Sequence, residues 1–156
     1  MTFTKAEANA FFWWGLVYSL APSGITNPNV RQKHRDEGLV LVEEKRGANN
    51  LQKYVERTKK YFFFKQFANF VKPGYTRIKV DAPTETPLSA FISSDKKSVV
   101  VVVTNSSNKP LKMKFENSFE PAIVEAYQTD PNRNCEPVSV LSAIPSKSVR
   151  TVIFKK

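Results

Sequence analysis

The apolar and polar positions divide the chain into three stretches with different periods. The first, "NAFFWWGLVYSL" (9–20), is continuously apolar and aromatic over a strand-like length. Such a run predicts a strand that is buried on both faces. The charged sequence that follows, about 31–60, contains one apolar patch, "GLVLVEE" (38–44), and is interrupted by glycine. It predicts a loop or a partly ordered insertion around that patch.

The second stretch, 50–71, has the periodicity of a helix. Phe63, Phe67 and Phe70 recur at i, i+4 and i+7 and so lie along one face of a helix. Phe64 and Val71 widen this apolar stripe. This spacing predicts an amphipathic helix with one apolar face. Pro73 cannot continue the helical hydrogen-bond ladder, and Gly74 readily adopts a reversed backbone, so the helix is expected to end there.

The third stretch alternates apolar and polar residues between turn-forming clusters, which is typical of an antiparallel sandwich. The predicted strands are "YTRIKVD", "LSAFIS", "SVVVVVT", "LKMKFE", "AIVEAYQ", "PVSVL" and "VRTVIFK". The run 99–103 is apolar on both faces and predicts a central strand. By contrast, "LKMKFE" and "VRTVIFK" alternate, so their charged side chains are expected to face solvent. The pattern therefore predicts a mainly β protein.

Length and charge narrow the possible functions. At 156 residues the chain suits one domain and is short for a catalytic barrel of roughly 250 residues. Between residues 31 and 79 there are thirteen Lys or Arg against five Asp or Glu, which accounts for eight of the ten net positive charges. A solvated surface explains this surplus better than a nucleic-acid site, because no Gly-rich loop, zinc spacing or basic-aromatic motif accompanies it. We therefore expect no nucleic-acid partner, and a basic nucleic-acid-binding protein remains the least favoured of the alternative functions.

Few residues offer metal or nucleophilic chemistry. Cys135 is the single cysteine and His34 the single histidine, so we expect no metal site and no cofactor. The opening mimics a signal peptide through Lys5 and an apolar run. Glu7 lies in the part of a signal peptide that should be positively charged, so the signal peptide is not convincing. The apolar run is also too short to span a bilayer as a helix.

Four segments, in this order, carry a resemblance to a known family. They are "FFWWGLVYSLAPSG", "YFFFKQFANFVKPGYTRIKVDA", "PLSAFISSDKKSVVVVVTNSS" and "AIPSKSVRTVIF". They resemble the C-terminal part of glycoside hydrolase family 30, over the start of the chain and from Tyr61 to its end. The resemblance implies that 1–72 is a remnant of a (β/α)8 barrel, made of its last strand and last helix, and that 73–156 is the side β-sandwich. The charged insertion is longer than the loop expected from the family.

The resemblance also bears on catalysis. Members are retaining glycosidases, which need two carboxyl groups about 5–5.5 Å apart. In the family these are glutamates at the ends of the fourth and seventh barrel strands, whereas this chain resembles the family only from the eighth. Glu7 would lie on the entering side of its strand, and Glu43 and Glu44 would diverge. We therefore assign no catalytic residue to the chain itself.

The remaining expectations concern binding and modification. By resemblance, Trp13 or Trp14 lines the sugar subsite beside the scissile bond in a full-length enzyme. For this chain we favour the interpretation that at least one of them is barrel core, or that both pack on the aromatic helix. Asn105 begins an Asn-Ser-Ser triplet that fits a glycosylation acceptor, in agreement with an extracellular parent enzyme. The alternative function is a stand-alone carbohydrate-binding or structural β-sandwich module. Tyr75 and Tyr127 are the aromatic residues to consider for sugar binding, but they are expected to pack at strand ends. Exposed aromatic surface predicts self-association.

Overall fold

The computed structural model describes residues 13–20, 27–30, 37–46, 51–82, 87–116 and 120–156. These residues divide into two compact units, which meet in sequence between Phe62 and Phe63. Each unit has its own sheet.

The first unit contains a three-stranded sheet in the order β1-β2-β3. Its strands are β1 (Val17–Ser19), β2 (Val40–Arg46) and β3 (Leu51–Arg57). β1 pairs with β2 in parallel, and β2 pairs with β3 in an antiparallel hairpin. The interpretation of about 31–60 as a loop or partly ordered insertion is therefore wrong for much of this stretch. Its apolar patch initiates a strand, and Leu39 and Leu41 are buried.

The Trp-containing run forms less strand than its composition predicts. Only Val17–Ser19 is strand, and in it Tyr18 is half-buried while both end residues are exposed. Residues 9–12 lie outside the described part of the chain. A continuously apolar run is buried on both faces only where other elements cover both, and among the described residues β1 has one neighbour, β2. The prediction of a doubly buried strand is thus wrong for this segment.

The aromatic stretch forms helix α1 (Lys59–Ala68), which is shorter than predicted. The Thr58 hydroxyl accepts a hydrogen bond from the N–H of Tyr61 at 3.4 Å, which places the N-cap at Thr58. Residues 51–57 belong to β3 instead, because pairing with β2 overrides their weak helical pattern. After a final turn the chain reaches Gly74, whose φ of 85° is the predicted backbone reversal.

The second unit is built on a six-stranded antiparallel sheet in the order β4-β5-β6-β9-β7-β8. Its strands are β4 (Thr76–Ile78), β5 (Leu88–Ile92), β6 (Ser98–Asn105), β7 (Ile123–Thr129), β8 (Asn134–Pro137) and β9 (Ser148–Lys155). Mainly β structure with an antiparallel sheet is therefore confirmed. The position of β6 between β5 and β9 also confirms that the valine run is a central strand.

Two of the predicted strands are absent from the described sheet. "LKMKFE" (111–116) makes a single bridge, between Leu111 and Ile144. It keeps its alternation, because Met113 and Phe115 pack against the core while the lysines between and before them are exposed. "PVSVL" contributes only Pro137, and the edge strand β8 consists of the preceding residues, whose polar composition is not typical of a strand.

The sheet carries a core on each face. On one face Val101 and Val103 pack with Val152 and Phe154. On the other, Val100 and Val102 pack beneath Phe63 and Phe67 of α1 and Phe70 of the turn that follows it. Burying each valine side chain stabilises the fold by about 1.5–3 kcal/mol. β9 differs from its prediction, since Arg150 is buried rather than solvent-facing.

Candidate functional site

The two tryptophans lie immediately before β1. The indole N–H of Trp13 donates a 2.8 Å hydrogen bond to the carbonyl of Glu37, and Trp13 is 37% exposed. Trp14 is 90% exposed. Gly15 follows in a crowded position, where an added Cβ would come within 1.8 Å of the Tyr18 ring. The indole of Trp14 is therefore presented to solvent beside a glycine against which the Tyr18 ring packs.

The aromatic residues of the second unit are packed rather than displayed. The rings of Phe70 and Tyr127 lie 4.8 Å apart at an angle of 30°. Tyr75 packs against the same core, on the helix-covered face of the sheet. Residues 73–156 contain no tryptophan. A flat sugar-binding platform on this sheet is therefore not favoured, whereas a bracing contact between helix and sheet is evident.

A buried polar cluster, which the sequence pattern did not indicate, anchors α1 to the sheet. Gln66 is completely buried within the aromatic stripe. Its side-chain amide donates to the Thr129 hydroxyl at 2.8 Å and accepts from the Thr151 hydroxyl at 2.6 Å. A glutamine between aromatic residues looks like an exposed helix position in sequence. Only the threonines of β7 and β9 explain why it lies inside.

A second buried cluster surrounds Arg150 on the opposite face of the sheet. Its guanidinium donates to the side-chain oxygen of Gln128, to the carbonyl and hydroxyl of Ser142, and to the carbonyl of Ala143. Burial lowers the pKa of Arg150 from its ordinary value, but a guanidinium stays protonated at any ordinary pH. A permanent positive charge thus holds the segment before β9 onto the sheet.

Solved structures resemble this chain in fold over 64–78% of its length. A glycoside hydrolase family 30 endoxylanase from Clostridium papyrosolvens is 25% identical, with a TM-score of 0.52 over 64% of this chain and 28% of its own. A family 30 subfamily 8 xylanase from Clostridium acetobutylicum is 21% identical, with a TM-score of 0.59 over 78% of this chain and 31% of its own. This chain is structurally related to glycoside hydrolase family 30.

A conserved exported protein from Bacteroides fragilis has the same fold, at 20% identity and a TM-score of 0.61, over 74% of this chain and 26% of its own. This chain therefore spans less than a third of the length of each of these three proteins. The extent of the match agrees with the C-terminal part of family 30. No protein-family model matches the sequence.

The position of the two tryptophans relative to β1 differs from the position expected for substrate contacts in a barrel enzyme. Substrate contacts in barrel enzymes cluster at the carboxyl ends of the strands. Both tryptophans precede β1, so the described strand does not place them at its carboxyl end. Of the two residues, Trp14 is the more exposed, whereas the indole of Trp13 is fixed by its hydrogen bond to the carbonyl of Glu37.

The acidic candidates gain no support from the described residues. Glu7 and His34 lie outside the described part of the chain. Glu43 and Glu44 are consecutive in β2, where neighbouring positions alternate between the two faces. No group of three or more His, Cys, Asp or Glu side chains gathers as a metal site within the described ranges. Nor is any helix in those ranges long and apolar enough to cross a membrane.

Asn105 has a structural role at the end of β6. Its side-chain amide donates to the carbonyls of Lys109, Ile144 and Pro145, and its side-chain oxygen accepts from Ser107. The residue is only 5% exposed. A glycan on that nitrogen would replace hydrogen bonds that close this corner of the sheet. The fold therefore argues against the predicted glycosylation at Asn105.

Asp130 next to the Arg150 cluster makes stability depend on pH. Burial alone would raise the pKa of the Asp130 carboxyl, but hydrogen bonds from Asn132, Gln128 and Arg133 outweigh burial and hold this pKa below its usual range. A carboxyl whose pKa is lower in the folded state than in the unfolded state stabilises the fold when the pH is above its unfolded-state pKa of about 4. This contribution is lost as the pH falls through the folded-state pKa.

We expect the free energy of unfolding to fall as the pH drops below about 4, and the variant Asp130→Asn to show a flatter dependence there. Urea unfolding at a series of pH values measures both. The pKa of Asp95 is also lowered, chiefly by its hydrogen bond from Ser93, so Asp95→Asn is a second variant that should flatten the profile in the same sense. An Asp130→Asn profile as steep as that of the unmodified protein would contradict the assignment.

Proposed function

We propose that this chain is the C-terminal part of a retaining glycoside hydrolase, with a barrel portion at 1–72 and a side sandwich at 73–156. The observation that carries the proposal is the seating of α1 on the six-stranded sheet, in the element order found in family 30. In this role the sheet braces the last barrel helix. The chain supplies support and an aromatic sugar contact rather than the hydrolytic carboxylates.

The packing of α1 supports the bracing role. The stripe of Phe63, Phe67 and Phe70 lies on the valine face of β6, and the side chain of Gln66 is hydrogen-bonded to β7 and β9. The apolar contacts supply most of the stabilisation, whereas the buried hydrogen bonds select one position of the helix on the sheet. A helix fixed in this way gives a barrel a rigid closing element.

The opposite face of the sheet has room for further polypeptide. A cavity of about 830 Å³ opens between the apolar side chains of β5 and β6 and the segment 111–116. In family 30, strands from before the barrel join the sandwich. We propose that an upstream strand of a longer chain occupies this groove, where Met113 and Phe115 would cover its apolar side chains.

Catalysis requires residues beyond those of this chain. Retaining hydrolysis uses one carboxylate as nucleophile and a second carboxyl group as acid and base, about 5–5.5 Å apart. We place both on upstream strands of the barrel. The substrate class is a polysaccharide or other glycan, and xylan is the first to test, since two of the structural relatives are xylanases. An extracellular location fits both this substrate class and the exported relative.

The decisive experiment reads the native transcript upstream of Met1 and assays both forms of the protein on xylan. We expect the reading frame to continue through two glutamates at strand ends, the long form to hydrolyse xylan with retention of configuration, and this chain alone to be inactive. Glu→Gln substitution of either upstream residue should abolish turnover. A frame that begins at Met1, or hydrolysis by this chain alone, would refute the proposal.

Replacement of Trp14 tests the sugar contact separately. Loss of a stacked indole face removes apolar area worth about 1.5–3 kcal/mol, so Trp14→Ala in the long enzyme should lower kcat/KM about tenfold to a hundredfold. Leu141→Ala is the matched control, because Leu141 is 91% exposed and lies far along the chain in the other unit. Equal kinetics for the two variants would remove Trp14 from the site.

A further inference from the structure

Residues 139–143 connect β8 to β9 without belonging to a strand. The backbone is anchored on both sides of this segment, at Val138 by a hydrogen bond to β7 and at Ile144 by a two-way bridge. Between these anchors Val140 packs against the core, and the described hydrogen bonds that join the segment to other elements all come from Arg150. One guanidinium therefore provides the polar attachment of the segment to the sheet.

Gln128 of β7 determines how Arg150 is oriented. Nε and Nη2 of Arg150 both donate to the side-chain oxygen of Gln128, the first at 3.1 Å. The same guanidinium reaches the carbonyls of Ser142 and Ala143. Because a guanidinium is planar and its five N–H groups have fixed directions, the bonds to Gln128 set the direction of the donors that face the segment.

Asp130 in turn fixes the orientation of Gln128. The side-chain amide of Gln128 donates to Oδ2 of Asp130, while its oxygen accepts from Arg150. A carboxylate has about four acceptor positions. Donors are present for all four: the backbone N–H groups of Asn132 and Arg133 on Oδ1, and the Gln128 amide and the Arg133 guanidinium on Oδ2. A proton added to this carboxylate must therefore displace a donor.

The charges around this cluster make its geometry sensitive to such a proton. Arg150 is 1% and Asp130 2% exposed. Burial and the neighbouring Arg133 lower the pKa of Arg150, whereas the Asp130 carboxylate raises it. The segment itself carries no charge, α1 lies on the other face of the sheet, and Glu136 of β8 and the lysines of 111–116 are exposed. Protonation of Asp130 would thus leave two positive charges without the carboxylate that offsets them.

The two arginines differ in how they can respond. The side chain of Arg133 is 45% exposed and can turn into water. Arg150 reaches water by leaving the cluster, and it then gives up its bonds to Ser142 and Ala143. A protonated Asp130 also becomes a donor, which competes with Arg150 for the oxygen of Gln128. Both effects loosen the segment.

We propose that Asp130, Gln128 and Arg150 form an acid-sensitive latch, which holds segment 139–143 on the sheet while Asp130 is ionised and releases it when Asp130 gains a proton. The pKa of Asp130 is lower in the fold than its ordinary value. The latch is therefore closed at neutral pH and opens as the pH falls through the folded-state pKa, below about 4. This inference does not depend on the proposed glycosidase function.

Amide hydrogen exchange followed by NMR on the full chain tests the latch. The reporters are the N–H groups of Leu141 and Ser142, which donate to Ser139, and the reference amides are those of β6. Asp130→Asn at pH 7 should speed exchange at the reporters about tenfold and leave β6 unchanged, because it removes the charge that receives the Gln128 amide. Asp95→Asn, at an exposed carboxyl in another turn, is the control and should leave the reporters unchanged.

In the unmodified protein the same selective acceleration should appear below about pH 4, once the intrinsic effect of pH on exchange is subtracted. This series decides the question if circular dichroism shows that Asp130→Asn does not fold. Equal acceleration at the reporters and in β6 would overturn the proposal, because it indicates global unfolding. So would acceleration confined to the turn 130–133.

Gln128→Met tests whether the effect of Asp130 passes through Gln128. It should speed exchange at the reporters at pH 7, because Arg150 loses the oxygen that orients it. Adding Asp130→Asn to this variant should then change the reporters no further. An undiminished effect of Asp130→Asn in the Gln128→Met background would refute the latch, since Asp130 would then act on the segment by another route.

Discussion

Arg150→Ala is expected to lower the free energy of unfolding by about 3–5 kcal/mol, more than any other substitution proposed for this chain. The substitution leaves the buried side-chain oxygen of Gln128 and the part-buried carbonyls of Ser142 and Ala143 without the donor that they share. Each unsatisfied acceptor costs about 1–3 kcal/mol. It also leaves a cavity where the long side chain packed.

Lys155→Ala is the matched control on the same strand. Lys155 pairs with Glu125 at 3.0 Å, but both side chains are more than a third exposed, so we expect a loss below about 1 kcal/mol. Arg150→Lys should be intermediate, because an ammonium keeps the charge but cannot bond Gln128 and the 142–143 segment together. Urea unfolding followed by circular dichroism measures all three. Similar losses for Arg150→Ala and Lys155→Ala would contradict a structural role for the buried guanidinium.

The sequence correctly predicted the elements in which the spacing of apolar residues alone determines which side chains are buried. The run 99–103 has no polar position, so it could only be a central strand, and β6 is one. The stripe of Phe63, Phe67 and Phe70 defined the helix face that packs on the sheet. Pro73 and Gly74 marked the helix end because their backbone restrictions are local.

Other elements depend on partners that the local sequence does not contain. Residues 51–57 form a strand because β2 lies beside them, although helix was predicted. Arg150 is buried because Gln128 and the 142–143 segment accept its hydrogen bonds, whereas alternation placed it in solvent. Asn105 matched a surface motif, yet three carbonyls bind its amide. In each case a tertiary contact outweighed the pattern.

The candidate site was predicted less completely than the fold. Resemblance singled out Trp13 and Trp14 as a pair, and the structure separates them, because only Trp13 has its N–H bonded to the carbonyl of Glu37. That carbonyl belongs to a residue far along the chain, in a stretch with no recognised motif. The buried cluster that ties the helix to the sheet was missed for the same reason. The position of Gln66 is explained only by the threonines to which it is hydrogen-bonded.

Gln66→Met is the second large prediction, with an expected loss of about 1–3 kcal/mol in the free energy of unfolding. Methionine nearly conserves the volume and the helix propensity, so the loss reports hydrogen bonding rather than packing. The Thr129 hydroxyl would lose the amide donor, and the Thr151 hydroxyl would lose its side-chain acceptor. Lys59→Met, at the exposed first residue of α1, is the control and should change stability by less than about 0.5 kcal/mol.

A double-mutant cycle with Thr151→Val separates this hydrogen bond from the surrounding contacts. The bond from the Thr151 hydroxyl to the Gln66 side-chain oxygen is lost in either single variant and therefore counts twice when the two losses are summed, so the double variant should lose less stability than the two singles together. We expect a coupling of about 1 kcal/mol or more, measured by urea unfolding. Additive losses would mean that Gln66 and Thr151 act independently. The position of α1 on the sheet would then rest on the aromatic stripe alone.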